Sequence, residues 1–210
     1  MRHGVWKAFL LVGLLAGVFA MSTAQAAMPY MDPQGRFSFT IPDGYAQETM
    51  SPQAPAGVTV AIFSTQALPG ARFTLTTVDD PANTQTTVDV LTAQTLQQLT
   101  QGINIPDIEV STQGIFPLRV GSADAREYVF RGTVPGTTTK VRGAMVVALK
   151  GTVAYSILFT SLDGDFNTMA DQCTPVLATF AFAGEQASGT GAIVLPAGPT
   201  ATPKNIAGAG

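Results

Sequence analysis

The side chains that carry most acid–base, nucleophilic and metal chemistry are scarce in this 210-residue chain. Its one histidine is His3, its one tryptophan is Trp6 and its one cysteine is Cys173. Residues 1–26 read as a secretory leader. Arg2 and Lys7 come first, an unbroken apolar run from Ala8 to Met21 follows, and Ala24-Gln25-Ala26 forms a small-x-small cleavage site. That run of 14 residues is short against the about 20 a bilayer-spanning helix needs, with an uncleaved N-terminal anchor as the alternative. Cleavage near Ala26 leaves a chain without histidine. No Ser-His-Asp or Cys-His arrangement can then form, and no His-ligated zinc or copper site. Gly-x-Ser-x-Gly, Ser-x-x-Lys, the Walker A loop and the dinucleotide glycine pattern do not occur. The expectation is a non-enzyme with no catalytic residue, no cofactor and no metal.

Four groups remain to be weighed. Cys173 falls on an apolar helical stripe with Phe166, Met169, Ala170 and Leu177, which predicts a buried, inert thiol; a reactive thiol is the alternative. Asp163-Gly164-Asp165-Phe166-Asn167 opens like a calcium loop, but the sixth position is Thr168 and the twelfth is Thr174, so the turning glycine and the bidentate glutamate are missing. It reads as a helix N-terminus with acidic capping, with a weak Ca²⁺ or Mn²⁺ contact as the alternative. Asp79-Asp80, followed by Pro81, reads as a strand-end turn before it reads as a catalytic or metal pair. Finally, Arg119, Arg126, Arg131, Lys140, Arg142 and Lys150 are six of the nine cations that follow the leader. A hairpin turning on Pro135-Gly136 sets Arg131 opposite Lys140, with Arg142 on the same face. Like charges opposed across strands are mildly unfavourable. Arg131, Lys140 and Arg142 are therefore a candidate interaction surface for an anionic partner; a solvated sheet edge is the other reading. Arg126 shares a face with Tyr128 and Phe130, which calls for a place at the sheet margin or a buried carboxylate partner.

The elements that position these groups follow from periodicity. Arg36-Phe37-Ser38-Phe39-Thr40-Ile41 alternates strictly, and Pro42-Asp43-Gly44 ends it with a turn. Residues 58–64 and 71–78 read as a hairpin through Leu68-Pro69-Gly70. Thr86-x-x-Asp89 is a capping-box-like start to a helix with Val88, Leu91, Leu96, Leu99 and Ile103 on one stripe and Thr and Gln opposite, closed by Gly102 and Pro106. Strands are predicted over 108–112, 115–120, 125–131, 140–149 and 153–160. Those at 144–149 and 153–159 are apolar throughout, which implies a sheet centre covered on both faces. A helix from Phe166 to Leu177 should kink or end at Pro175, and Thr179 to Phe182 is a final extended piece. The order β-ββ-α-βββββ-α, joined mostly by hairpins, predicts an α+β sandwich with a mainly antiparallel sheet.

Length suits one domain, 27–182, with a flexible Gly/Ala/Pro-rich tail over 183–210. Past the leader, nine cations stand against 14 carboxylates, so no global positive field draws nucleic acid. A charged fraction of 12% and a mean hydropathy of +0.25 argue for a packed core. With one cysteine, no internal disulfide can help to hold it.

Three segments resemble a known family. Gly35-Arg36-Phe37-Ser38-Phe39-Thr40-Ile41-Pro42-Asp43-Gly44-Tyr45 resembles the opening of PsbP-like domains, Gly151 to Thr160 resembles their late strand, and Phe166 with Val176-Leu177-Ala178-Thr179-Phe180 resembles their closing helix. The resemblance runs from about Tyr30 to Phe182 and implies a Mog1/PsbP-type α/β/α sandwich. Tyr45 stands where the family usually has tryptophan, and the histidines tied to metal binding in the photosystem branch have no counterpart here. The resemblance implies an exported accessory or binding protein, periplasmic, secreted or lumenal, that acts through its surface on an envelope or lumenal protein, with peripheral membrane contact as a further possibility. Two alternatives stand beside it: a carrier of a small apolar or lipidic ligand between sheet and helix, and a hydrolase working with carboxylates alone.

Overall fold

A computed structural model describes residues 26–48, 57–79, 86–102, 107–111, 115–134, 136–187 and 193. The segment 1–26, expected to be a leader, lies outside these residues except for Ala26.

Strict alternation at Phe37, Phe39 and Ile41 produces strand β2 (Phe37–Ile41), which buries those three side chains. It pairs antiparallel with β1 (Met28–Met31) on one side and with β11 (Ala181–Phe182) on the other, making a small three-stranded sheet. The main sheet has eight strands. Its path runs β3 (Tyr45–Gln47), β4 (Val58–Thr65), β5 (Arg72–Asp79), β10 (Val153–Leu162), β9 (Lys140–Lys150), β8 (Ala123–Thr133) and β6 (Glu109–Val110), and β7 (Phe116–Val120) also pairs with β8. Every pairing is antiparallel. The two apolar runs become β9 and β10, which lie centrally in the sheet and are buried on both faces over most of their length.

Helix α1 (Val88–Gly102) covers one face over β8 and β9; α2 (Phe166–Ala178) covers the other, against β10 and β2. The α+β sandwich expected from the sequence is the one observed.

Details differ. The start of α1 lies one residue later than the capping box suggests, because the Thr87 hydroxyl accepts the Val90 N–H at 3.3 Å. The inner face of α1 is not the Val/Leu stripe alone. Thr92 and Thr95 are buried between Leu91 and Leu99, and their hydroxyls donate to the Val88 and Leu91 carbonyls one turn back. A threonine that satisfies its own hydroxyl in this way can face a core. Helix α2 does not end at Pro175 but continues to Ala178. The proline falls in the last turn, where the missing N–H costs one bond, and Val176 and Leu177 beyond it are buried.

The hairpin between β8 and β9 is longer than a turn on Pro135-Gly136. Its last pair is Thr133 with Lys140, and residues 134–139 form the loop, closed by Val134 N–H to Thr139 O at 2.9 Å and Thr137 N–H to Val134 O at 3.1 Å. The register therefore moves by two residues. Arg131 stands opposite Arg142, not opposite Lys140. A shift of two leaves every side chain on its expected face, so the three cations still share one.

Candidate interaction site at the end of the sheet

Strand pairing lays out the α2-side end of the sheet as rows. Glu109, Arg131, Arg142 and Ser161 form one row across β6, β8, β9 and β10. Thr133 and Lys140 form the next, and Asp107 lies beside them. Lys140 Nζ donates to Asp107 Oδ2 and to Thr133 Oγ1, both at 2.6 Å. Asp107 also accepts the Thr133 N–H and hydroxyl, at 2.7 and 2.6 Å. These partners, the Lys140 bond foremost, hold its carboxyl down at about 2.

Arg131 and Arg142 are less well served. Arg131 Nε lies 3.2 Å from Asp163 Oδ1, an ion pair without the alignment of a hydrogen bond. The Arg142 guanidinium sits 4.7 Å above the centre of the Phe166 ring. Its Nε is shut away from solvent and has no acceptor. Burial first, and then the Arg131 charge, push the Arg142 pKa down.

The remaining cations are tied individually. Arg126 bonds Asp89 in the first turn of α1 at 2.7 Å, so its carboxylate partner is an exposed one. Arg119 lies 3.9 Å from Asp124 and donates to Ser122 O. Lys150 donates to Glu185 Oε1 at 2.6 Å and to the Ser122 hydroxyl, over the Phe182 ring.

Cys173 is fully buried among the apolar side chains of α2, and burial pushes its thiol up to about 12. That is the inert environment its helical stripe implies. The acidic capping expected at 163–165 does not form. These residues make a 3-10 turn, Asp165 at the N-cap makes no side-chain cap bond, and Asp163 turns to Arg131 instead. Asp79 ends β5 as expected and accepts the Thr152 hydroxyl at 3.0 Å; Asp80 and Pro81 lie outside the described residues. Among the described residues, no three His, Cys, Asp or Glu side chains come together.

Three polar groups escaped the sequence reading. Asp32 is buried and holds Arg36 through bonds of 2.7 and 2.9 Å, and Arg36 reaches on to Thr59 at 2.9 Å. The signal was there: Asp32-Pro33-Gln34-Gly35 has Asp, Pro and Gly in the positions a tight turn prefers, and Gly35 N–H closes it onto Asp32 O. Glu127 is fully buried between Val146 and Phe116 in the pairing, on the same face as Ala125 and Val129. Its place in an alternating apolar strand marked it out. The Ser122–Lys150–Glu185 cluster joins residues far apart in sequence, and no local pattern announces it. It resembles a Ser–Lys pair, but a basic lysine needs a desolvated site. Lys150 is 42% exposed and ion-paired, and the cluster fastens the chain just past β11 to the β7–β8 turn. At that turn Gly121 has φ 56°, and a Cβ there would come within 2.9 Å of Phe182. Farther into the expected tail, Ile193 is 8% exposed and packs on the main core.

The layer between the sheet and α2 is filled by rings in contact. Phe63 and Phe73 stack at 4.5 Å, Phe37 and Phe180 at 5.3 Å, and Phe39 meets Phe63 edge-on at 5.6 Å. No helix among the described residues is long and apolar enough to cross a membrane.

No family model matches the sequence, and no curated protein matches it. Solved structures do. The solution structure of cyanobacterial PsbP (CyanoP) from Synechocystis sp. PCC 6803 aligns with a TM-score of 0.55, covering 80% of this chain and 98% of that one at 14% identity. The chain has the PsbP-like fold. A crystal structure from Bacteroides thetaiotaomicron VPI-5482 aligns with a TM-score of 0.50 at 14% identity, over 73% of this chain and 47% of that one, so the chain spans about half the length of that protein. LpqN, involved in cell envelope biogenesis of Mycobacterium tuberculosis, gives a TM-score of 0.49 at 17% identity, over 75% of this chain and 91% of that one. In the PsbP-like fold the three resembling segments become β2 with its Pro42–Gly44 turn, β10, and α2 running into Phe180.

Proposed function

We propose that this is an exported accessory protein that acts through its surface on a protein partner in the periplasm or a lumen. The observation that carries the reading is the disposition of the charged groups. Among the described residues they meet mostly as separate ion pairs along the ends of the sheet, while the interior is mostly packed rings, with Cys173, Asp32 and Glu127 buried apart from one another. Such a molecule offers a shaped, charged rim and little with which to do chemistry. The PsbP-like fold and the leader-like N-terminus support the same reading. The sheet end carrying Arg131, Lys140 and Arg142 is the contact surface in this proposal.

Site-directed photo-crosslinking in the native host tests it. A photoreactive residue replacing Thr139 or Glu109 is expected to give one recurrent protein adduct, and the same residue replacing Asp43 is expected to give none. Mass spectrometry of the purified protein is expected to find a mature start at Ala27. Absence of any recurrent adduct from the sheet end would overturn the proposal.

A further inference from the structure

We infer that the Arg131–Arg142 pair is a docking point for a carboxylate on an acidic segment of the protein partner, and that Asp163 holds the place while the partner is away. The inference rests on the accessory reading above and names the chemistry of its contact.

The pairing of β8 with β9 makes the two arginines direct cross-strand neighbours. Side chains so placed have Cβ atoms about 5 Å apart, and like charges there oppose each other. The rest of the row does little to relieve them. Glu109 stands opposite Arg131 on its far side, and Ser161 stands opposite Arg142. Arg142 therefore lies between a second guanidinium and a hydroxyl, with no carboxylate among the described residues in ion-pair contact.

Two features keep Arg142 in this position. Its guanidinium rests on the Phe166 ring, and Phe166 is itself fully buried at the start of α2. The guanidinium is thus held in place before any partner arrives, which lowers the ordering cost of binding. Its Nε has no acceptor, and the Phe166 ring and the more distant Asp163 charge are what offset the Arg131 charge beside it.

Asp163 is a weak occupant. It approaches Arg131 Nε at 3.2 Å without hydrogen-bond alignment, and the two side chains are 38% and 52% exposed. Compare Asp32, fully buried, which grips Arg36 through two nitrogens at 2.7 and 2.9 Å. A guanidinium favours a planar, two-pronged carboxylate contact. Asp163 leaves that contact unmade, and an incoming carboxylate would make it.

The surroundings favour an acidic peptide over a membrane. Asp107, Glu109, Asp163 and Asp165 all belong to this end of the sheet. A bilayer would press many phosphates against all of them, in a chain whose formal charge is already −3. An extended acidic segment can bring one carboxylate between the two arginines and keep its others clear.

The test uses the mature protein and a hexaglutamate peptide, followed by the arginine Nε–H signals in NMR titrations at low salt, with hexaglutamine and anionic phosphatidylglycerol vesicles as controls. Hexaglutamate is expected to shift the Arg131 and Arg142 signals. Arg131→Gln and Arg142→Gln are each expected to weaken binding about tenfold. Lys140→Gln removes the same charge from a lysine that Asp107 already holds, and is expected to change binding by less than about twofold. Asp163→Asn is expected to strengthen binding several-fold, a gain that misfolding cannot produce. The inference is overturned if hexaglutamine binds as well, if Lys140→Gln costs as much as Arg142→Gln, if Asp163→Asn gives no gain, or if vesicles bind and the peptide does not. A crosslinked partner that survives Arg131→Gln/Arg142→Gln overturns this inference and leaves the accessory reading standing; a wild-type protein that captures nothing overturns the accessory reading instead.

Discussion

The two faces of the main sheet are built from the same strands and packed by different means. On the α2 side, Phe63, Phe73 and Phe159 point from successive strands into a layer closed by Phe37, Phe39 and Phe180. On the α1 side the same strands alternate to Thr74, Thr76 and Ser156, and the cover is a helix offering Leu91, Leu99 and two threonines. Ser156 even donates its hydroxyl to the Met145 sulfur, at 2.9 Å. One face gains its stability from large rings in mutual contact. The other lacks such a ring layer, and sets the hydroxyls of Thr92, Thr95 and Ser156, each bonded locally, among its leucines and valines. Burial alone does not distinguish the faces; what fills the buried space does.

Truncations give the largest test of that difference. Phe180 is fully buried and contacts Phe37, Phe39, Tyr155 and Phe182. Phe180→Ala is expected to cost about 4 kcal/mol, and Leu99→Ala under α1 about 2.5 kcal/mol, both read by urea denaturation. Equal losses would mean that the two layers are equally unforgiving, and the contrast would fall.

Thiol labelling separates the layers in another way. Cys173 is buried beneath α2 and should react only on extensive opening. Thr95→Cys in a Cys173→Ser background places a thiol beneath α1. Its reaction with a thiol reagent is expected to be about 100-fold faster, because a helix held by Leu91, Leu99 and the partly buried Leu96 opens at lower free energy than one held by Phe166, Met169, Val176 and Leu177. Matching rates would show that both layers open in a single event.

This contrast also explains what the sequence made legible. The aromatic layer is written in period-two alternation, as at Phe37, Phe39 and Ile41, and in the apolar runs of β9 and β10, so the α+β sandwich could be read from pattern. The inward threonines of α1 could not, because threonine reads as surface until its hydroxyl is seen to bond its own helix. The arginine pair was half legible. Parity put Arg131, Lys140 and Arg142 on one face, but the hairpin loop's length decided which two are opposed, and a loop of six residues is not marked by Pro135-Gly136. The sequence suggests that Asp163 caps a helix; only the reach of the Arg131 side chain from β8, past β9, to the 3-10 turn shows it serving Arg131.

The ion pair that pins the small sheet gives a smaller, pH-dependent test on the α2 side. Burial would raise the Asp32 pKa, but the bonds from Arg36 outweigh it and the net shift is downward. A depressed folded pKa contributes stability that is present above the ordinary carboxyl value of about 3.9 and is lost as pH falls through the folded value. Asp32→Asn is expected to cost about 2 kcal/mol at neutral pH. The gap to wild type should close in acid, below about pH 4. A gap that stays constant through the acid range would mean that Asp32 acts by shape and not by charge.

The smallest effect is the most discriminating. Each layer buries a tyrosine whose hydroxyl is poorly met: Tyr45 on the α2 side has only the Cys173 sulfur beside it, and Tyr128 beneath α1 has no hydrogen-bond partner among the described residues. Both phenols are pushed well up by burial. A buried hydroxyl with no acceptor carries a desolvation cost, and removing it relieves that cost. Tyr128→Phe is therefore expected to raise stability by up to about 1 kcal/mol, and Tyr45→Phe to change it less, because the Cys173 sulfur gives that hydroxyl a weak neighbour. The sign at Tyr128 decides between two pictures of the α1 layer. A gain means a dry layer closed on itself. A loss of similar size means that the hydroxyl is met by a buried water or a bound molecule, since only a lost partner makes the phenylalanine variant worse. In that case the space beneath α1, and not the ring-filled layer beneath α2, is where a small amphiphile would have to bind.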